Sequence, residues 1–278
     1  MNTLLQRIAT ELNVQQSQVS AAVGLLDEGA TVPFISRYRK EVTGGLDDTQ
    51  MRTLEERLRY LRELEDRRAT ILKSIIDQDK MSPELEAAIK GADTKTALED
   101  LYLPYKVKRR TKAMIAREAG LGPLAESLMN TPQLKPEEEA AKYLNEEHKI
   151  ADTKAALDGA KQILMEQFSE DATLLGKLRR FLTDEANVSA RLVKGKEEEG
   201  AKFRDYFEYD EALNKIPSHR ALAIFRGRNE GILSISVTVG DESDRSLAHP
   251  CESMVAEHWQ IRNQDRPADK WLGEVVRW

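Results

Sequence analysis

Only one cysteine, Cys251, occurs in the 278 residues. A disulfide framework inside the chain is therefore excluded, and the reducing cytoplasm is the compartment that suits it. No apolar run approaches the roughly 20 residues that cross a bilayer. The N-terminal stretch MNTLLQRIATELN is amphipathic and lacks the apolar core and cleavage site of a signal peptide. Aromatic residues are scarce at 6%, against 40% hydrophobic and 32% charged residues. That balance belongs to a helix-rich globular chain, not to a membrane or disordered one. A surplus of positive charge is missing as well, since the net charge is −6. This excludes a chain coated in cations but not local basic patches, because an electrostatic footprint depends on where the charges sit.

What is present is helical periodicity with explicit punctuation. Leu4, Leu5, Ile8 and Leu12 share one helical face. Asn13 and Gln16 are spaced as a capping box for a second helix, whose stripe of Val19, Val23 and Leu26 runs to Gly29 as a C-cap. Two short helices with a brief connector have the outline of a helix-turn-helix, an outline that any packed helix pair shares. Next comes TVPFISRYRKEVTGG, residues 31–45. Pro33 suits a first helical turn, and Gly44 with Gly45 suits a stop, which predicts a helix over about 33–42. Phe34 and Tyr38 then share a face at i, i+4 and are expected to turn inward. Asp47 with Gln50 opens a long helix over 48–78, with Met51, Leu54, Leu58 and Leu61 as its seam. The seam degrades at Glu65 and Arg68, which argues against a sustained coiled coil.

Further helices are predicted from Ser82-Pro83 to Gly91 and over 112–119, 123–129, 136–146, 153–168 and 170–183. The last carries a broad stripe of Leu174, Leu175, Leu178, Phe181 and Leu182. ADTKTALED at 92–100 and ADTKAALDG at 151–159 share six of nine residues and read as a reused helix start capped by Asp, not as a repeat array. KGKEEEG at 194–200 has the composition of an exposed connector. A helix from Ser218 leads into ILSISVTVG, the single clear strand candidate, near 232–239. Pro250 and Pro267 mark the starts of two more helices. The expected fold is mainly α, a multi-helix scaffold with a helix-turn-helix-like N-terminal part. An all-α region over 1–193 is followed by a connector and a helix-strand-helix segment over 194–278. A lone strand needs partners, and the last helix stops uncapped at Trp278; both features suggest a piece of a longer protein.

Candidate chemistry is thin. His249, Cys251 and His258 are close in sequence, but seven helical residues separate the last two by roughly 10 Å along the axis. Zinc bonds of about 2.0–2.3 Å do not bridge that distance, so no metal site is assigned. Asp241, Glu242 and Asp244 follow the strand, where carboxylates can hold magnesium; without a second cluster they read as a solvated turn. The glycines of TGG and RGRNEG match no phosphate loop. His219 beside Arg220 has no serine or cysteine nucleophile at a recognisable spacing. No catalytic set and no cofactor emerge.

The basic segment LYLPYKVKRRTKAMIAR, residues 101–117, holds six cations and no acid. Pro104 disfavours helix at Leu103, so Lys106, Lys108, Arg109, Arg110 and Lys112 are expected on an extended connector beside Tyr105. Such a segment can contact phosphates and stack on bases. The alternative is that its cations pair with the many acids of the chain while the tyrosines pack. Arg37, Arg39 and Lys40 of the earlier stretch are secondary candidates for the same role.

Five stretches, in this order, carry a family resemblance: LLDEGATVPFISRYRKEVTGGLDD, LEERLRYLRELEDRR, LEDLYLPYKVKRRTKAMIAREAGLGPLA, EEEGAKFRDYF and PSHRALAIFRGRNEGIL. Together they resemble the N-terminal region of the Tex family of bacterial transcription accessory proteins. The resemblance implies a largely helical scaffold with a helix-turn-helix-like region, an RNase H-like module of the YqgF type, helix-hairpin-helix elements and a C-terminal S1 domain. It implies nucleic-acid binding, with RNA as the favoured partner, and a role beside the transcription machinery. It also places the S1 domain and the RNase H-like module beyond residue 278. Two readings follow for this chain: a scaffold and interaction region, or direct nucleic-acid binding through 101–117. A metal-dependent nuclease using the acids at 241–244 is a remote third, and a membrane role is not expected.

Overall fold

The computed structural model describes residues 2–240 and 249–278. They form two compact units, Met1–Tyr102 and Leu103–Trp278. The first contains α1 (Asn2–Leu12), α2 (Gln16–Asp27), α3 (Val32–Tyr38), α4 (Asp48–Ile76), α5 (Pro83–Gly91) and α6 (Lys95–Tyr102). Its spine is α4. The predicted seam of Met51, Leu54, Leu58 and Leu61 is buried and continues through Leu64, Ile71 and Ile75. Ile8 of α1, Val19 and Val23 of α2, and Ile35 of α3 are buried on the helices that pack against it. Burying such a side chain contributes about 1.5–3 kcal/mol relative to leaving it exposed. At the rim, Arg57 bonds Glu11 of α1 at 2.5 Å and Arg62 bonds Asp27 of α2 at 2.7 Å. Exposed pairs of this kind contribute under about 1 kcal/mol each, so the apolar seam dominates.

Local punctuation departs from expectation in three places. The start of α2 is closed by Gln15 and Gln18, with the Gln15 N–H donating to Gln18 Oε1 at 2.9 Å. Asn13 instead takes a left-handed φ of 53° and ends α1, a conformation that asparagine tolerates better than most residues. Second, α3 ends at Tyr38, because Arg39 leaves the helix at φ −133°, ψ 24°. Third, Thr94 caps α6 through its hydroxyl, which accepts from the Ala97 N–H at 3.1 Å. Asp93, the expected cap, is held by Arg7 at 3.1 Å. The second copy of that sequence does use its aspartate, Asp152, which accepts from the Ala155 N–H at 2.7 Å.

The second unit begins with a 3-10 turn at Leu103–Tyr105 and an irregular connector. It continues as α7 (Lys112–Glu118), α8 (Gly122–Asn130), α9 (Pro136–Ala140), α10 (Thr153–Ser169), α11 (Ala172–Glu185), β1 (Asn187–Leu192), β2 (Glu208–Ala212), α12 (Ser218–Asn229), β3 (Leu233–Thr238), α13 (Pro250–His258) and α14 (Asp269–Arg277). Its helical core gathers around α10. Ala156, Ala160, Ile163 and Leu164 meet Leu121, Leu124 and Leu128 from the α8 side and Trp271, Leu272 and Val275 of α14. Phe168 and Trp259 stack at 4.6 Å, with 17° between their planes. The helix expected over 136–146 stops at Ala140 and tightens into a 3-10 turn, after which Asn145 and Ile150 bridge a small turn. Of the α11 stripe only Leu174 is fully buried; Leu175, Leu178, Phe181 and Leu182 are half-buried.

The strand candidate is β3, and its partners lie within the chain. The sheet is antiparallel with order β2-β1-β3, pairing Ala190 with both Tyr209 and Ile235. Neither β1, NVSARL, nor β2, EYDEA, has strong strand propensity. The strand β1 forms because β3 offers it a ladder and Val188 and Ala190 alternate into the interior, and β2 then pairs with the free edge of β1. A small core of Ala190, Phe203, Ile224, Ile232 and Leu233 lies between the sheet and α12. The KGKEEEG connector is mostly exposed but closes on buried Gly200. A Cβ there would lie 2.6 Å from Ile232 Cγ2 and 2.8 Å from the Lys196 carbonyl oxygen.

Candidate nucleic-acid interface

In the first unit, α3 turns Val32, Ile35 and Ser36 toward the interior. A helix of seven residues has room for one buried face, and the β-branched pair occupies it. Phe34 and Tyr38 therefore point outward, at 42% and 65% exposure, which corrects the inward orientation expected from their spacing. Their ring centroids are 5.6 Å apart with planes tilted by 46°. The Arg39 guanidinium lies 5.7 Å from the Phe34 centroid, within cation–π range. Arg37, Arg39 and Lys40 are all exposed, and none has a carboxylate within 4.0 Å among the described residues. Elsewhere in this unit Arg7, Arg57, Arg62, Arg67 and Lys95 each close an ion pair.

The turn after α3 is fixed. Fully buried Thr43 donates its hydroxyl to the carbonyls of Arg39 at 3.4 Å and Lys40 at 3.3 Å. Gln18 of α2 donates its side-chain amide to the Gly44 carbonyl at 2.8 Å. Gly44 and Gly45 hold φ of 62° and 89°, left-handed values that suit glycine. The glycines thus end a structured turn rather than a helix.

The basic connector of the second unit is arranged differently. Lys108 lies between Glu166 of α10 and Glu170 just past its end, bonding Glu170 and approaching Glu166 at 4.0 Å. Arg117 also bonds Glu166, and the Thr111 hydroxyl donates to Glu166 Oε1 at 2.8 Å. Arg110 pairs with Glu118. Half of the cations of 101–117 thus meet carboxylates. Lys106, Arg109 and Lys112 are exposed and have no such partner among the described residues. Tyr105 is half-buried. Tyr102, at the end of the first unit, shares a 3.0 Å hydrogen bond with Ser74 and lies under Arg67. Lys106–Thr111 is irregular as expected, although Leu103 and Pro104 are in the 3-10 turn.

Burial of the Glu166 carboxyl pushes its pKa upward, but hydrogen bonds from Arg117 and Thr111 and the charges of Arg117 and Lys108 outweigh burial. The carboxyl is held below the usual range. In the first unit the hydrogen bond from Arg57 is the largest influence on Glu11 and also lowers its pKa.

The remaining candidates do not converge. His249 accepts the Cys251 N–H at 3.2 Å and caps α13, whereas His258 meets Asp171 at 3.2 Å. No group of three possible metal ligands occurs among the described residues. Asp241, Glu242 and Asp244 lie outside the described residues. No helix among the described residues is long and apolar enough to cross a membrane.

These features define a mainly helical scaffold with two basic segments of different construction. Residues 131–278 match the Tex central region-like family, and residues 2–76 match the Tex-like protein N-terminal domain. The chain therefore belongs to the Tex family. It is 56% identical to Protein YhgF of Escherichia coli K12, over 98% of this chain and 35% of that protein. It is 54% identical to Transcriptional accessory protein Tex of Neisseria gonorrhoeae, over 97% of this chain and 35% of that protein. It is 27% identical to human S1 RNA-binding domain-containing protein 1, over 95% of this chain and 27% of that protein. The chain thus spans about a third of the length of its bacterial curated relatives.

Proposed function

We propose that this chain is the helical scaffold and interaction region of a Tex-like transcription accessory protein, and that it makes phosphate contacts of its own with nucleic acid. The observation that carries the second part is the set of exposed cations without carboxylate partners among the described residues, in a chain of net charge −6. Lys106 and Arg109 on the connector and Lys112 at the start of α7 are candidates, with Arg37 near the end of α3 and Arg39 and Lys40 on the turn after it. Lys108 and Arg110 of the predicted site contribute less, because Glu170 and Glu118 already neutralise them. The relatives' names, a transcriptional accessory protein and an S1 RNA-binding domain-containing protein, support the same direction. The region acts in the cytoplasm, by binding and without catalysis, and RNA is its favoured partner.

A salt titration tests this reading. Binding of an oligonucleotide to the 278-residue chain should weaken linearly in log affinity against log salt. Neutralising Lys106, Arg109 and Lys112 with glutamine should make the slope shallower by about 0.7 per lost phosphate contact on a single strand. Absence of binding to RNA and DNA at low salt would overturn the phosphate contacts and leave the scaffold role alone.

A further inference from the structure

The end of α3 and the turn after it differ from a plain basic patch because their cations alternate with exposed rings. Between Thr31 and Gly45 the charged residues are Arg37, Arg39, Lys40 and Glu41, three cations against one acid. Phe34 and Tyr38 are both exposed, and Val42 beside them is 47% exposed. The rings are held on a helix anchored by fully buried Ile35, and the turn is held by Thr43 and Gln18. Rings with centroids 5.6 Å apart and tilted by 46° cannot enclose a base between them. They can instead present a platform on which a base lies, with neighbouring cations reaching its phosphates.

We infer that Phe34 and Tyr38 form a stacking platform for unpaired bases, and that Arg37, Arg39 and Lys40 hold the phosphates of the same single strand. This rests on the phosphate-binding reading above and names the class of ligand. Base faces are covered in a duplex, so exposed rings select strands whose bases are free to stack. Charge complementarity favours this ligand over a protein. The apolar part of the patch is limited to two rings and Val42 and is interrupted by cations, unlike the contiguous apolar centre of a protein interface.

The test uses the 278-residue chain, a labelled single-stranded oligonucleotide and a duplex of the same sequence, with affinity read by fluorescence anisotropy across a salt series. The unaltered chain should prefer the single strand. Phe34→Ala and Tyr38→Ala should each weaken single-strand binding from about fivefold to about a hundredfold, the range of lost base–aromatic stacking, without changing the salt slope. Tyr38→Phe should bind normally, because the ring and not the hydroxyl makes the contact. Combined Arg37→Gln, Arg39→Gln and Lys40→Gln should make the salt slope shallower by about 2. All of these side chains are exposed, so unchanged melting temperatures should accompany the losses. Single-strand affinity within twofold of the unaltered chain for both alanine variants would overturn the inference, whether the patch then serves a protein, a duplex or no ligand. If salt-dependent binding survives in that case, the phosphate-binding reading stands. No binding at low salt would overturn both.

Discussion

The turn after α3 and the connector before α7 are both basic in sequence, yet the fold uses their charges in opposite ways. At 37–40 the backbone is fixed by apolar burial beneath it and by backbone hydrogen bonds, and the cations are left over. At 106–117 the cations themselves do part of the fixing: Lys108 and Arg117 join the connector and α7 to Glu166 of α10 and to Glu170 just past its end. A count of local positive charge ranks the connector first. Free charge ranks the turn beside it, since Arg37, Arg39 and Lys40 have no carboxylate partner among the described residues, and adds two exposed rings. Basic sequence is not the same quantity as available positive surface, because distant acids decide how much remains.

The sharpest way to break this comparison is to remove the apolar anchor of α3. Ile35 is fully buried, so Ile35→Ala should destabilise the first unit by about 2–5 kcal/mol, transfer loss plus cavity. Denaturant unfolding followed by a probe in that unit would measure it. A loss below about 1 kcal/mol would mean that α3 is held by something other than burial.

Glu166→Ala is the counterpart for the connector. Its side chain is 14% exposed and receives Arg117 and Thr111, so the expected loss is about 1–3 kcal/mol, the cost of leaving partly buried polar groups unpaired. The same change releases Arg117, while Glu170 still holds Lys108, and should steepen the salt dependence of nucleic-acid binding. Weaker binding with an unchanged slope would contradict the division of labour between paired and free cations.

An acid titration sharpens the comparison further. Glu166 has its folded pKa lowered from an ordinary value near 4.5. A depressed carboxylate contributes stability above the unfolded value, and loses it as pH falls through the folded one. Stability of the second unit should therefore decline below about pH 5, and Glu166→Gln should flatten that decline. Glu11, also lowered by Arg57, gives the first unit its own acid dependence, which Glu166→Gln should leave intact.

The smallest effects belong to the free cations. Arg109→Gln and Lys112→Gln should change stability by less than about 0.5 kcal/mol, as surface substitutions usually do. Melting curves superimposable on the unaltered chain are expected, and a clear shift would reveal a structural partner for them.

Much of the fold was legible in the sequence because helix signals are local. The α4 seam, the Ser82 and Asp152 caps and β3 follow from spacing and from residues within one or two turns. The strands β1 and β2 were not legible: NVSARL and EYDEA gain strand structure from long-range pairing, which no local pattern reports. The candidate site divides in the same way. The sequence located both basic segments, but it turned Phe34 and Tyr38 inward, since their spacing alone does not say which of two apolar faces the core accepts.

By itself, then, the sequence determined a mainly helical chain, most helix positions and the residues that mark it as a Tex relative. Those follow from short-range hydrogen bonding, capping and the period of apolar residues. Only the tertiary structure decided that Val32 and Ile35 face inward, that Phe34 and Tyr38 stay outside, and that Glu166 and Glu170 neutralise Lys108. The reason is physical: burial and ion pairing depend on which remote surfaces meet, and the acid just past α10 that captures Lys108 stands 62 residues away, at Glu170.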